Sequence, residues 1–226
     1  MQSAALLHLL QLASPSLPVG AYSYSQALEV AIEKQNVSDE TSARIWISAH
    51  LHQVVAQFEA PLLWRLLIAF AAYDANAVRY WTDVFIAARD TAEFRAETIQ
   101  MGYSLAKLIA ELKIADAQSL AILQSQPEIP FPTALACAAV AFAVPHEAVL
   151  LGVLFSWAEN QVLVCVKSVP LGQVSGQRLL LSLRPDLERA ASTAQQLVDD
   201  ELSNWAPGLS ILSMQHEVQY SRLYRS

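Results

Sequence analysis

Gln161-Val162-Leu163-Val164-Cys165-Val166 is the run on which the fold class turns. Valine recurs at every second position, and β-branched residues favour a pleated strand. A lone strand would have no partner, because the patterns on both sides are helical. Glu147 to Lys167 reads as one continuous helix that tolerates Gly152 in its interior. Ser168-Val169-Pro170-Leu171-Gly172-Gln173 then breaks it, since Pro170 lacks the N–H that a helix interior needs. Val174-Ser175-Gly176-Gln177-Arg178 opens the next helix. The run is therefore read as helix and the chain as all-α.

Further out, Thr91 to Lys113 carries the clearest period. Phe94, Thr98, Met101, Leu105, Leu108 and Leu112 recur at alternating spacings of four and three, an apolar seam on a helix. Glu93, Arg95, Glu97, Gln100 and Glu111 lie off the seam and are expected on a solvated face. Thr41 to about Phe58 is a helix, and Pro61 is expected to start another, because proline suits a first turn. That second helix, Leu62 to Tyr73, is apolar nearly all round except for Arg65 and reads as central and buried. Asn76 to Ala88 follows with Trp81 and Phe85 four apart. The loop Gln124 to Pro132 holds three prolines but leaves the composition unchanged, so it joins parts of one domain. Thr133 to Val144 reads as a buried helix, and Asp186 to Trp205 as a polar amphipathic helix stopped by Pro207-Gly208. The expected organisation is a single globular multi-helix domain over 1–208 and a C-terminal tail over 209–226.

The 226 residues carry a formal net charge of −7, with 54% hydrophobic and 15% charged residues. About 25% charged is usual. A surface so short of charge points to apolar areas covered by a partner or by a second copy of the chain. The acidic balance argues against nucleic acid, whose binding surfaces are basic. Cys137 and Cys165 sit in apolar runs without a CxxC pair or a Cys/His cluster, and read as small buried hydrophobes in a reducing compartment. No basic region precedes the first leucines, so a secretory signal is not expected. The most apolar segment, Ala134 to Val144, is too short to span a bilayer. A soluble cytoplasmic protein with no membrane contact is expected.

Near the start, Leu12-Ala13-Ser14-Pro15-Ser16-Leu17-Pro18-Val19-Gly20-Ala21-Tyr22-Ser23-Tyr24 forms a corner. Pro15 and Pro18 end a first helix near Ala13, and Gly20 suits a tight reversal. Ser23 and Gln26 have the spacing of a capping box that would open the second helix. Tyr22 and Tyr24 then stand on a constrained turn, either as packing or as a rigid platform for another protein.

Catalytic motifs are missing. There is no GxxxxGK[ST] and no GxGxxG to mark a nucleotide site. His146-Glu147 and His216-Glu217 each begin like a zinc-protease motif, but neither has the second histidine. His50 and His52 are two apart and fall on different sides of a helix. Ser175 does not sit midway between Gly172 and Gly176 as a nucleophile elbow would require. No metal site, cofactor or nucleophile–base pair is assigned. The tail is more informative: Met214, Tyr220, Leu223 and Tyr224 are mixed with Arg222 and Arg225, and Tyr, Met and Arg are enriched at protein interfaces. Two readings follow, a segment that orders on binding a partner or a last helix packed on the body.

Three blocks resemble one family, the urease accessory protein UreF family. Leu12 to Glu29 resembles its N-terminal signature. Cys165-Val166-Lys167-Ser168-Val169-Pro170-Leu171-Gly172-Gln173 with Gly176-Gln177 resembles its central helix break. Ser213-Met214-Gln215-His216-Glu217 with Tyr220-Ser221-Arg222-Leu223-Tyr224-Arg225-Ser226 resembles its tail. Arg95-Ala96-Glu97-Thr98 and Met101-Gly102 fit as well. Ala27 departs from the pattern, since many members have glycine there. The resemblance implies an all-helical protein that is not an enzyme and serves nickel insertion into urease. It also implies a homodimer that binds UreD (also called UreH) and with it recruits the GTPase UreG to apo-urease. Regulation of GTP hydrolysis and the fidelity of metal transfer are the roles such a position suggests. The family's partner-binding positions fall on Tyr22, Lys167 and Arg222. Together with Tyr220, Tyr224 and Arg225 of the tail they form the expected docking face, with no catalytic or metal residue assigned. The competing reading is a small helical enzyme or metabolite-binding protein with an apolar core pocket. A further alternative is direct nickel carriage by His216, Glu217 or His146, which no histidine-rich tract supports.

Overall fold

In the computed structural model, which describes residues 3–225, the run 161–166 lies inside one long helix, His146–Ser168. Val162, Val164 and Cys165 are buried there, so packing against neighbouring helices overrides the local preference for strand. The described residues contain helices and no strands. In chain order the α-helices are α1 (Ser3–Leu12), α2 (Leu28–Glu33), α3 (Glu40–His50), α4 (Ala60–Ala71), α5 (Ala75–Ala87), α6 (Ala92–Glu111), α7 (Ala117–Gln124), α8 (Phe131–Ala141), α9 (His146–Ser168), α10 (Gln173–Ser182), α11 (Arg184–Gln196) and α12 (Pro207–His216).

Pro61 does not begin a separate helix. α3, a π-helical segment Leu51–Glu59 and α4 form one continuous rod, Glu40–Ala71. In the π-segment the N–H of Ala60 reaches back to the carbonyl of Val55, one residue further than in an α-helix. Pro61 has no N–H to give the Gln57 carbonyl. That carbonyl is satisfied from outside the rod, by the N–H of Ser203 at 3.2 Å. The donor lies in an irregular segment where a continuous helix was expected. α11 stops at Gln196, a 3₁₀ turn covers Asp199–Glu201, and Pro207 opens α12 instead of closing the element before it. Arg65, the polar exception on α4, bonds Asp199 at 2.6 Å and the Leu197 carbonyl at 2.8 Å in this same segment.

α8 is the innermost helix. Residues Pro132 through Ala139 are all buried, and α4 and α6 pack on it. The seam of α6 is rotated from the one expected. Thr98, Met101 and Leu105 face the core, but Leu112 is exposed, while Glu97 and Ile109 are buried. The loop before α8 crosses α6 at Gly102, and Thr98 Oγ1 accepts the N–H of Phe131 at 3.1 Å. On the far side, Asp186 of α11 is 2% exposed and ties three elements together. It bonds Arg44 of α3, His52 of the π-segment at 2.9 Å and Arg189 of its own helix. His50 turns the other way, edge-on to Trp157, and burial pushes its pKa down to about 4.

The rod Glu40–Ala71 and α9 are long and apolar enough to cross a membrane. Both are built into the core, where Leu51, Leu66, Leu67, Leu150 and Leu154 lie at or below 1% exposure.

Candidate functional site

The corner, the last turns of α9 and the tail meet on one side of the molecule. Gly20 has φ +80, the left-handed backbone that a side chain would strain, and the chain reverses there into a 3₁₀ turn, Ala21–Ser23. α9 grips this turn from below. The Tyr22 hydroxyl donates to Glu159, Trp157 Nε1 donates to Gln26 Oε1 at 2.7 Å, and Asn160 Nδ2 donates to the Tyr24 carbonyl at 2.7 Å. Burial raises the Tyr22 phenol above its ordinary pKa, and the Glu159 carboxylate raises it further. The phenol thus stays a neutral donor.

The expected Ser23–Gln26 capping box does not form. Gln26 and Ala27 both have positive φ, 53 and 68, so α2 begins at Leu28 with no side-chain cap. The Gln26 amide is used elsewhere: its Nε2 donates to Glu97 at 2.8 Å while its oxygen receives Trp157. This explains why Glu97, expected on a solvated face, is 8% exposed. Ala27, where many family members have glycine, occupies a backbone conformation that glycine holds without strain.

The tail takes the packed course. Ser213 and His216 of α12 are fully buried, and Ser213 bonds Thr91 at 2.8 Å. His216 lies between two carboxylates. Its Nδ1 is 2.9 Å from Glu93, and its Nε2 is 3.3 Å from Glu29. Glu29 also accepts the backbone N–H groups of Leu223 at 2.7 Å and Tyr224 at 3.1 Å. The Arg225 N–H then reaches the Ser23 carbonyl at 2.8 Å, and Lys167 Nζ stands 5.6 Å above the Tyr224 ring.

The structure thus brings together the turn bearing Tyr22, Lys167, Tyr224 and Arg225. Tyr22 is half-buried, while Lys167 and Arg225 are exposed. Tyr224 is only 6% exposed and seats the tail, with burial pushing its phenol up to about 12. Arg222 is exposed to one side, bonding Glu93 at 3.2 Å. Tyr220 stands fully free of the surface at 105% exposure, between exposed Val218 and Leu223. Sequence reasoning missed Glu29, Glu93 and Glu159. Each occupies an ordinary helix position, and only the returning tail or turn gives it a partner.

Beneath the turn lies a cavity of about 160 Å³, lined by apolar side chains such as Leu63, Leu135, Leu150 and Leu154. Some polar groups on its wall are bonded to one another, Gln26 to Glu97 and Trp157, and Arg89 to Glu59 at 2.6 Å. Arg89 Nε and Asn160 Oδ1 have no hydrogen-bond partner among the described residues. Among the described residues no group of three or more His, Cys, Asp or Glu side chains could hold a metal ion.

The UreF family profile matches residues 37–184. Three relatives, each named urease accessory protein UreF, align along nearly the whole chain. The one from Janthinobacterium sp. (strain Marseille) is 74% identical over 226 residues, covering all of both chains. The one from Nitrosospira multiformis is 65% identical over 222 residues, 98% of each chain. The one from Dechloromonas aromatica is 45% identical, covering 98% of this chain and 97% of its own.

Proposed function

This chain belongs to the UreF family of urease accessory proteins, and we propose on that premise that it works by docking, without catalysis of its own. In this reading it forms a homodimer in the cytoplasm, binds UreD and with it recruits the GTPase UreG to apo-urease for nickel insertion. The observation that carries the reading is the convergence of the Tyr22 turn, Lys167 and the tail on one surface, joined by the 2.8 Å Arg225–Ser23 bond. That surface mixes a half-buried aromatic ring with exposed Lys167, Arg222 and Arg225 on an otherwise acidic chain. Aromatic and arginine side chains of this kind dominate binding energy at interfaces.

Tyr22 serves as the aromatic contact, while Lys167 and Arg222 meet acidic or backbone acceptors on the GTPase. The test is co-purification of UreD and UreG with Tyr22→Ala and Arg222→Ala variants. A loss of at least about 2 kcal/mol of binding in each is expected. Recruitment unchanged in both variants would show that the face is misassigned. If recruitment survives but GTP hydrolysis slows in Arg222→Ala alone, the arginine acts on the nucleotide instead.

A further inference from the structure

His216 is the one histidine whose two ring nitrogens both face carboxylates among the bonds of the described residues. A neutral imidazole carries a single N–H, so one of its nitrogens would turn a lone pair toward a carboxylate oxygen; only the doubly protonated ring donates to both. The site is dry enough for this to matter. The His216 side chain is 0% exposed, with Glu29 at 8% and Glu93 at 11%. Glu29 also holds the N–H groups of Leu223 and Tyr224, so a change at His216 is transmitted directly to the tail.

We propose that His216 is a proton-operated latch that holds the C-terminal tail closed while its ring bridges Glu29 and Glu93, and lets the tail loosen when the bridging proton is lost. The facing groups are Glu29 from α2, Glu93 from α6 and, through Glu93, Arg222 from the tail itself. Lys34, just past the end of α2, engages Gln215 beside it, and Asp90 meets Ser210 at the far end of α12. Loss of the ring's charge leaves two carboxylates facing each other with Arg222 on one of them. The sign is set by geometry: the latch is closed at lower pH and opens as pH rises.

The latch regulates the docking face, so its consequence rests on that reading, but its test does not. Hydrogen exchange is measured on the isolated full chain over peptides spanning 217–225, corrected for the intrinsic pH dependence of amide exchange. The measurement runs from about pH 5 to about pH 9, which brackets the interval of about pH 5 to 8 in which histidine ordinarily changes charge. The wild-type tail is expected to lose protection at least about tenfold in a one-proton step. His216→Gln, with a single amide to serve both carboxylates, leaves the tail exchanging fast at every pH. Glu93→Gln can donate to a neutral ring, so it keeps the tail protected to high pH and flattens the step. Wild-type protection that does not change with pH would overturn the latch, as would the same step persisting in His216→Gln. Failure of partner recruitment, measured separately with UreD and UreG, bears on the docking face alone.

Discussion

Replacing Gly102 by alanine tests the packing of the fold at its tightest point. An added Cβ would lie 1.9 Å from the Ile129 carbonyl oxygen, 2.5 Å from the Pro130 carbonyl carbon and 2.8 Å from that of Ile129. Ordinary contact needs about 3.5 Å. The obstacle is backbone, so rotating a side chain gives no relief, and the crossing loop must lift off α6. Overpacking of this kind costs about 1 to 3 kcal/mol, and the backbone clash places it at the upper end. Lifting the loop also strains the Thr98–Phe131 bond, worth about 1 kcal/mol. Alanine's better helix propensity returns about 1 kcal/mol. The net expectation is a loss of about 3 kcal/mol, a fall in Tm of about 6–12 °C for a chain of this length. Gly152→Ala is the control. There the new Cβ meets only the tip of Leu9, at 2.7 Å, and a leucine tip can rotate, so the loss should be about 1 kcal/mol or less. Thermal unfolding followed by circular dichroism reads both variants. If Gly102→Ala melts with or above the wild type, the close crossing of loop and helix is wrong.

Two further substitutions address other parts of the scaffold. Asp186→Asn leaves Arg44, His52 and Arg189 without their shared carboxylate, and chemical denaturation should show a loss of about 3 kcal/mol at neutral pH. Burial alone would raise the Asp186 pKa, but the His52 bond and the Arg44 and Arg189 charges outweigh it and hold the carboxyl below its usual value. Its stabilising contribution is therefore complete above the ordinary carboxylate range and is lost as pH falls through the depressed value. The gap between wild type and Asp186→Asn should accordingly close under acid. Ala27→Gly removes a Cβ from a residue at φ 68. Relief of about 1–2 kcal/mol of left-handed strain exceeds glycine's entropic cost of about 0.5–1 kcal/mol. A gain of up to about 1 kcal/mol in a denaturant titration is expected, and a loss would contradict the strained backbone.

Helices with long, one-sided apolar patterns were legible from the residues alone, because the same side chains that make the pattern make the core. α6 is of this kind through Thr98, Met101 and Leu105, although Leu112 of the expected seam is exposed. α9 follows instead from excluding an unpartnered strand, and Cys137 and Cys165 are buried as read. The misreadings share a different physics. Pro61 looked like a helix start because its missing N–H has only one local solution, whereas the fold supplies a remote one from Ser203. Glu97 looked solvated because charge is normally exposed, and its burial depends on a glutamine from the corner. Ser23 and Gln26 had the spacing of a cap, but α9 captures Gln26 first. The candidate face was legible only in part. Tyr22, Lys167 and the tail could be marked by resemblance, yet that Tyr224 is a seat and Glu29 its holder follows only from how the tail returns.

The bond between Arg225 and Ser23 joins residues about two hundred positions apart in the chain. Contacts distant in sequence are made only after loop-closure entropy has been lost, so neighbouring helices can pack before this surface is formed. The surface that joins Ser23, Lys167 and Arg225 depends on a contact that local helix formation does not supply. A tail displaced from the corner would leave nearly the whole core packed and this surface unmade. Fraying of the tail is thereby felt directly at the turn that carries Tyr22.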